Sequence, residues 1–117
     1  DVCYIGWGDY KMYDYGTSAN KLSEYMIAGK PILNSYSGKY DFVKENNCGI
    51  TVDSDCSKDV ANAILQLYSM QSCDLDAMGE NALRFAKNTF DYDDIAKTLE
   101  CRLLKEINAL NIEKALK

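Results

Sequence analysis

The sequence contains no histidine among its 117 residues. Histidine is the commonest general base and the commonest metal ligand in proteins, so its absence removes the usual starting point for acid–base catalysis or a zinc site. The five cysteines do not replace it, because no two have C-x-x-C spacing and their odd number leaves at least one unpaired within the chain. We expect reduced thiols that behave as small apolar side chains.

Long apolar segments and an excess of positive charge are also missing. No uninterrupted apolar run approaches the ~20 residues of a membrane-spanning helix, and the first residues do not form the apolar h-region of a secretory signal. The net charge of −5 disfavours electrostatic binding to nucleic acid or to an anionic membrane surface. With 47% hydrophobic and 26% charged residues, the chain has the composition of one folded globular domain.

Short apolar runs alternate with helical patterns in the first half of the chain. Residues 2–5, 31–34 and 50–52 predict buried strands, with helices over about 18–28 and 40–45 between them. This order predicts an α/β fold: a three-layer, Rossmann-like parallel sheet of about three strands, half of a doubly wound domain. We assign residues 1–53 to this βαβαβ core and residues 57–117 to a helical C-terminal segment.

The helical segment has three amphipathic patterns. Asp74 and Asp91 are the predicted caps of the second and third helices. The third carries an apolar stripe at Ile95, Leu99, Leu103, Ile107 and Leu110. Because the chain opens without Met in what reads as the inside of a strand, we expect it to be part of a longer protein.

The loop after the first predicted strand is the best candidate for a binding site. Ligands of open parallel sheets bind outside the carboxyl ends of the strands, and residues 6–17 lead there into a helix that starts at Ser18. The free N–H groups and positive dipole of a helix start suit a phosphate, and Lys21 adds a cation. A solvated Lys21 is the alternative. Glu24, one turn on, is either a ribose ligand or a solvated helix carboxylate.

A family resemblance bears on this choice. The run from Tyr15 to Leu33, YGTSANKLSEYMIAGKPIL, resembles the C-terminal domain of group 1 glycosyltransferases with the GT-B fold. It is most similar to bacterial variants that assemble capsule, lipopolysaccharide and other surface polysaccharides, which read S-P-N-K-L-x-E-Y-M-x-A-G-K-P. Residues 1–5, 47–52 and 78–82 match the same template in order and spacing. The resemblance implies that residues 1–117 are the C-terminal part of a nucleotide-sugar-binding domain.

The resemblance also implies a function for the full-length protein. It would be a retaining glycosyltransferase that moves a sugar from a nucleotide diphosphate to a glycan or lipid-linked acceptor. The acceptor would lie on an N-terminal domain absent from this chain. The expected compartment is the cytoplasm, with the full-length enzyme peripheral at the inner face of the plasma membrane. Because helix N–H groups and cations stabilise the departing diphosphate, no metal cofactor is expected.

The resemblance carries over to individual positions. Glu24 matches the residue that holds the ribose hydroxyls, and Ser18, Ala19 and Asn20 match helix-start positions that face the diphosphate and sugar. No catalytic residue is identified. The implied donor-binding set is Gly16, Thr17, Ser18, Ala19, Asn20, Lys21 and Glu24.

Two positions depart from the family pattern. Gly16 stands where many relatives carry a Glu near the donor sugar, and Ala19 replaces a proline. The upstream Arg/Lys pair that normally grips the diphosphate is also absent. We therefore predict weak donor affinity and no transferase activity for this chain alone. The alternative is a non-catalytic nucleotide-sugar-binding or scaffold module.

Three further features carry open alternatives. Asp53-Ser54-Asp55 is a D-x-D pattern, either a metal site or ordinary acidic turn and capping residues. The nine tyrosines either stack on a base or sugar or fill an interface. An apolar strand at 2–5 would be an exposed edge, so we predict a homodimer through that edge or through the last helix.

Overall fold

The computed structural model describes residues 2–17 and 20–115. Its three strands form one parallel sheet in the order β1-β2-β3. The strands are β1 (Cys3–Gly6), β2 (Ile32–Ser35) and β3 (Gly49–Val52). The helices are α1 (Asn20–Ile27), α2 (Phe42–Glu45), α3 (Ser57–Ser69), α4 (Ser72–Thr89) and α5 (Tyr92–Ala115), with a 3-10 turn at Lys11–Tyr15. The prediction of an α/β chain with three parallel strands and a helical C-terminal segment is confirmed.

Alternating side chains of the sheet build two separate cores. Ile32 packs with α1, α2 and α4 on one face, whereas Leu33, the next residue, packs with α3 on the other. All four residues of the central strand β2 are buried. Helices therefore cover both faces of the sheet, and β1 and β3 are its two edges.

Close contact between α1 and α4 depends on two glycines. Gly29 has φ +63° and donates its N–H to the carbonyl of Met26 at 3.1 Å, so a left-handed glycine ends α1. Gly79 of α4 lies against it, and a Cβ on Gly79 would collide with the carbonyl oxygen of Gly29. This approach buries Met26 completely.

The structure confirms only some of the residues that the sequence predicts as helix caps. The carboxylate of Asp91 accepts hydrogen bonds from the N–H groups of Asp93 at 2.9 Å and Asp94 at 3.1 Å, so its prediction as a cap is confirmed. The prediction for Asp74 is wrong, because α4 starts at Ser72 after Gln71 and Asp74 lies inside the first turn. The predicted start of α1, Ser18, lies outside the described residues.

Helix α5 projects from the rest of the molecule. Every side chain described between 91 and 111 is exposed. The radius of gyration is 19.0 Å, whereas a compact domain of this length has about 13 Å. Across the described part of the chain, no helix is long and apolar enough to span a membrane.

The cysteines differ sharply in their surroundings, which predicts selective labelling. Burial raises the pKa of Cys48 to about 11, while Cys73 and Cys101 are exposed. At pH 8 only about one Cys48 thiol in a thousand is then ionised, and the thiolate is the reactive form. We expect iodoacetamide to modify Cys73 and Cys101 in the folded protein and Cys48 only in urea, as read by mass spectrometry. If iodoacetamide labelled Cys48 as fast as Cys73 and Cys101 in the folded protein, the result would contradict the burial of Cys48.

Candidate functional site

The loop after β1 folds over the carboxyl end of the sheet on an aromatic cluster. Trp7 donates its backbone N–H to the carbonyl of Ser35 at 3.0 Å, which extends the β1–β2 ladder by one bond. Its ring packs edge-on against Tyr13 and Tyr36, with centroid distances of 5.3 and 5.9 Å. The Tyr36 hydroxyl donates to the Tyr13 carbonyl at 3.0 Å, and burial is the main cause that raises the pKa of Tyr36. This hydroxyl thus stays protonated and fixes the loop.

Asn34 connects this loop to the sheet and to α2. It is 4% exposed, and its Oδ1 accepts the indole N–H of Trp7 at 3.0 Å. Its Nδ2 donates to the carboxylate of Asp41 at 3.2 Å. The same Asp41 oxygen caps α2 by accepting the N–H of Lys44 at 3.1 Å. One buried amide therefore sets the position of the loop before α1 and of the helix after β2.

Gly16 ends the loop in a conformation reserved for glycine. Its φ of +112° and ψ of +167° lie in a region that other residues almost never occupy. A Cβ would meet no atom within 4 Å, so backbone strain rather than crowding requires glycine here. This backbone is therefore unsuited to the Glu that the resemblance places at the position.

Helix α1 presents three of the predicted residues on one exposed face. Leu22 and Met26 are buried on the opposite side, so helical periodicity turns Asn20, Lys21 and Glu24 outward. Within residues 2–17 and 20–115, no ion pair or side-chain hydrogen bond involves Lys21 or Glu24. A cation and a carboxylate thus remain available within one turn of each other. Ser18 and Ala19 lie outside the described residues.

A small cavity adjoins this face. It measures about 300 Å³ and lies between α1, α2 and the start of α5. Its lining residues are Thr17, Asn20, Leu22, Ser23, Phe42, Phe90, Tyr92 and Ile95. Sequence reasoning missed Phe90 and Tyr92, because nothing in the local pattern brings residues about 70 positions downstream to the start of α1. The cavity therefore adds aromatic surface beside two predicted polar residues.

A larger cavity lies elsewhere at the same end of the sheet. It measures about 590 Å³ and is lined by residues of β1, the loop after it and the first turn of α3, Trp7 and Ser57 among them. None of the predicted donor-binding residues lines it. Size alone therefore does not select the site.

The D-x-D pattern has a structural role. Asp55, at φ +58°, accepts the backbone N–H of Asp9 at 3.2 Å and so links the loops after β1 and β3. The Asp53 carbonyl accepts the Ser35 hydroxyl at 3.1 Å. Among the described residues, no group of three or more His, Cys, Asp or Glu side chains could hold a metal ion. The Asp55 contact supports the interpretation as an acidic turn residue, whereas Asp53 contributes only its backbone carbonyl. Neither residue caps α3, which begins after Cys56 without a side-chain cap.

Comparison with protein-family models, with curated proteins and with solved structures found no match to this chain.

Proposed function

We propose that this chain is the C-terminal, donor-binding part of a glycosyltransferase of the GT-B type that builds cell-surface polysaccharide. The observation that carries the proposal is the exposed face of α1 at the carboxyl edge of a parallel sheet, where Asn20, Lys21 and Glu24 lie together. Among the described residues, neither Lys21 nor Glu24 has a side-chain partner. Open parallel sheets bind ligands at that edge. The motif around α1 supplies the class of ligand, a nucleotide-diphosphate sugar.

The proposed chemistry is electrostatic. Lys21 and the N–H groups at the start of α1 would hold the diphosphate and stabilise the negative charge that develops on it as the sugar departs. Glu24 would accept hydrogen bonds from the two ribose hydroxyls, one helical turn, about 5.4 Å, further along. The cavity beside Asn20 would leave room for part of the donor next to Tyr92.

Gly16 supports the second candidate, a non-catalytic nucleotide-sugar-binding module. The backbone at Gly16 excludes an unstrained Glu, so this loop has no acidic side chain at the position that contacts the donor sugar in many relatives of the motif. The two candidates differ in one measurable way. A full-length enzyme transfers the sugar, whereas the module binds the donor and leaves it intact.

The experiment is a titration of the ¹⁵N-labelled chain with UDP, GDP and ADP, followed by NMR. We expect fast-exchange shifts centred on Asn20, Lys21 and Glu24 and weak binding, because the remainder of the donor site is proposed to lie upstream. Glu24→Gln replaces hydrogen bonds to a charged group, worth about 1.5–3 kcal/mol, with neutral ones worth about 0.5–1.5 kcal/mol. The variant should therefore bind roughly 5- to 15-fold more weakly.

Glu80→Gln is the matched control, because Glu80 is an exposed carboxylate on α4. It should bind like the unmodified chain. Equal affinities for the Glu24 and Glu80 variants would reject the ribose assignment. Shifts confined to the 590 Å³ cavity would reject the location of the site.

A further inference from the structure

Strand β1 has an outer edge with which no strand of the described chain pairs. On its inner edge, the backbone N–H groups of Cys3 and Trp7 donate to carbonyls on the β2 side at 2.9 and 3.0 Å. Peptide groups alternate in direction along a strand, so the N–H and C=O groups of Val2, Tyr4 and Gly6 point outward. These groups are therefore available to a further strand.

The face of β1 on the α3 side is also uncovered. Tyr4 lies beside Leu33 in the sheet, but α3 packs mainly on β2 and β3. A groove of about 700 Å³ remains over β1, in which Val2 and Tyr4 are 39% and 53% exposed. Its other lining residues are all apolar or aromatic: Leu33, Val60, Ile64, Leu67, Tyr68 and Leu75. A strand that extends the sheet at β1 would thus also cover apolar side chains.

The sequence of this edge does not discourage pairing. Exposed edge strands are commonly protected by lysine, proline or inward-pointing charges, because unpaired backbone groups recruit other strands. Residues 2–8 contain no charged residue and no proline. The opposite edge strand differs, since α2, α3 and α4 pack on β3 and none of its residues is exposed. The edge of β1 is therefore the one prepared for a further strand.

We propose that a second copy of this chain pairs with β1, edge to edge and antiparallel, so that two three-stranded sheets become one. A two-fold axis between the two Tyr4 residues places Val2 of each protomer opposite Gly6 of its partner. In this register every outward N–H and C=O group of these three residues has a partner, with about six hydrogen bonds in all. A shifted register leaves some of these groups unpaired.

The side chains on the α3 side fit the same register. The Tyr4 ring lies over Gly6, since a Cβ on Gly6 would come within 2.6 Å of the Tyr4 hydroxyl. In the dimer, Val2 of one protomer would stand opposite this glycine and pack beside the ring that covers it. Both grooves lie on the same face of the joined sheet, next to the axis. The exposed apolar side chains of both protomers would therefore be buried together.

Sedimentation equilibrium over a concentration series tests the proposal. Each protomer contributes one strand of four residues and one groove, and small interfaces are weak, so we expect a reversible, concentration-dependent dimer. Tyr4→Lys places two ammonium groups opposite each other and should raise the dissociation constant roughly tenfold or more. Tyr4 belongs to neither core, so the variant should keep the circular dichroism of the unmodified chain.

Leu65→Lys is the matched control. Leu65 is 66% exposed on α3 and does not line the groove, so this variant changes the charge equally and should dimerise like the unmodified chain. A monomer at every concentration would overturn the proposal and leave the edge to a different strand. A dimer that Leu65→Lys weakens as much as Tyr4→Lys would overturn it as well.

Hydrogen exchange read by NMR tests the pairing itself, without any substitution. The amides of Tyr4 and Gly6 should exchange more slowly as the protein concentration rises, because the dimer gives them acceptors. The amides of Cys3 and Trp7 already donate within one chain and should not change. A dimer whose Tyr4 and Gly6 amides exchange at the monomer's rate would show that another surface pairs. None of these measurements depends on the proposed function, whose site lies on α1.

Discussion

Replacing Asn34 with leucine is expected to destabilise the protein by about 2–4 kcal/mol. The substitution keeps roughly the same volume but removes both hydrogen-bonding groups of a side chain that is 4% exposed. The indole N–H of Trp7 loses its acceptor and the carboxylate of Asp41 loses a donor. A polar group left buried without a partner costs its desolvation free energy, and here one amide serves two separate segments.

Urea denaturation followed by circular dichroism measures this loss. The variant should unfold at a lower midpoint urea concentration, and the dependence of its free energy of unfolding on urea should be unchanged. Asn62→Leu is the control, because Asn62 is an exposed asparagine on α3 and its replacement should change the free energy of unfolding by less than about 0.5 kcal/mol. Equal midpoints for the two variants would show that Asn34 does not hold the loop to the sheet.

Gly79→Ala is expected to destabilise the protein by about 1–3 kcal/mol, although alanine is the better helix former by about 1 kcal/mol. The added Cβ would collide with the carbonyl oxygen of Gly29, a backbone atom that no side-chain rotation can move away. The two helices must separate, which opens the core around Met26. A lower free energy of unfolding for the variant would therefore show that the collision outweighs the better helix propensity of alanine, and a higher one would show the reverse.

Thermal unfolding by calorimetry checks this prediction. A loss of 1 kcal/mol lowers the melting temperature of a domain of this size by roughly 4 °C. Glu80→Ala, at the exposed neighbouring position of α4, should leave the melting temperature within about 2 °C. A rise in melting temperature for Gly79→Ala would mean that α1 and α4 are not in close contact.

Local patterns were sufficient to locate the strands and several helix ends. The apolar runs around Ile5, Leu33 and Ile50 stand out between turns, and Gly29 before Pro31 indicates the end of α1. The prediction that all three strands are buried is wrong for β1 and β3, because as the edge strands of the sheet they are covered less than β2. The start of α4 could not be chosen in this way, because several residues there, Asp74 among them, are of types that can cap a helix. The contact between Gly79 and Gly29 is also invisible locally, since 50 residues separate its partners.

The candidate site, too, could be predicted from the sequence only in part. Once Leu22 and Met26 are assigned to the core, helical periodicity turns Lys21 and Glu24 outward, so that face could be predicted from the sequence. The hydrogen bonds of Asn34 could not, because they depend on three segments that meet only after the sheet forms. The apolar stripe on α5 was predicted, but its exposure was not: periodicity specifies which side is apolar and says nothing about what covers it.

Trp7 is the single tryptophan of the chain. Its ring is partly buried, hydrogen-bonded to Asn34, and lies within 6 Å of the rings of Tyr13 and Tyr36. Tyrosines at such distances transfer excitation to an indole, so light absorbed by the aromatic cluster is emitted largely from one residue. Emission wavelength and intensity depend on the hydration of that ring. The fold therefore contains an intrinsic optical reporter, located in the loop that connects the sheet to α1.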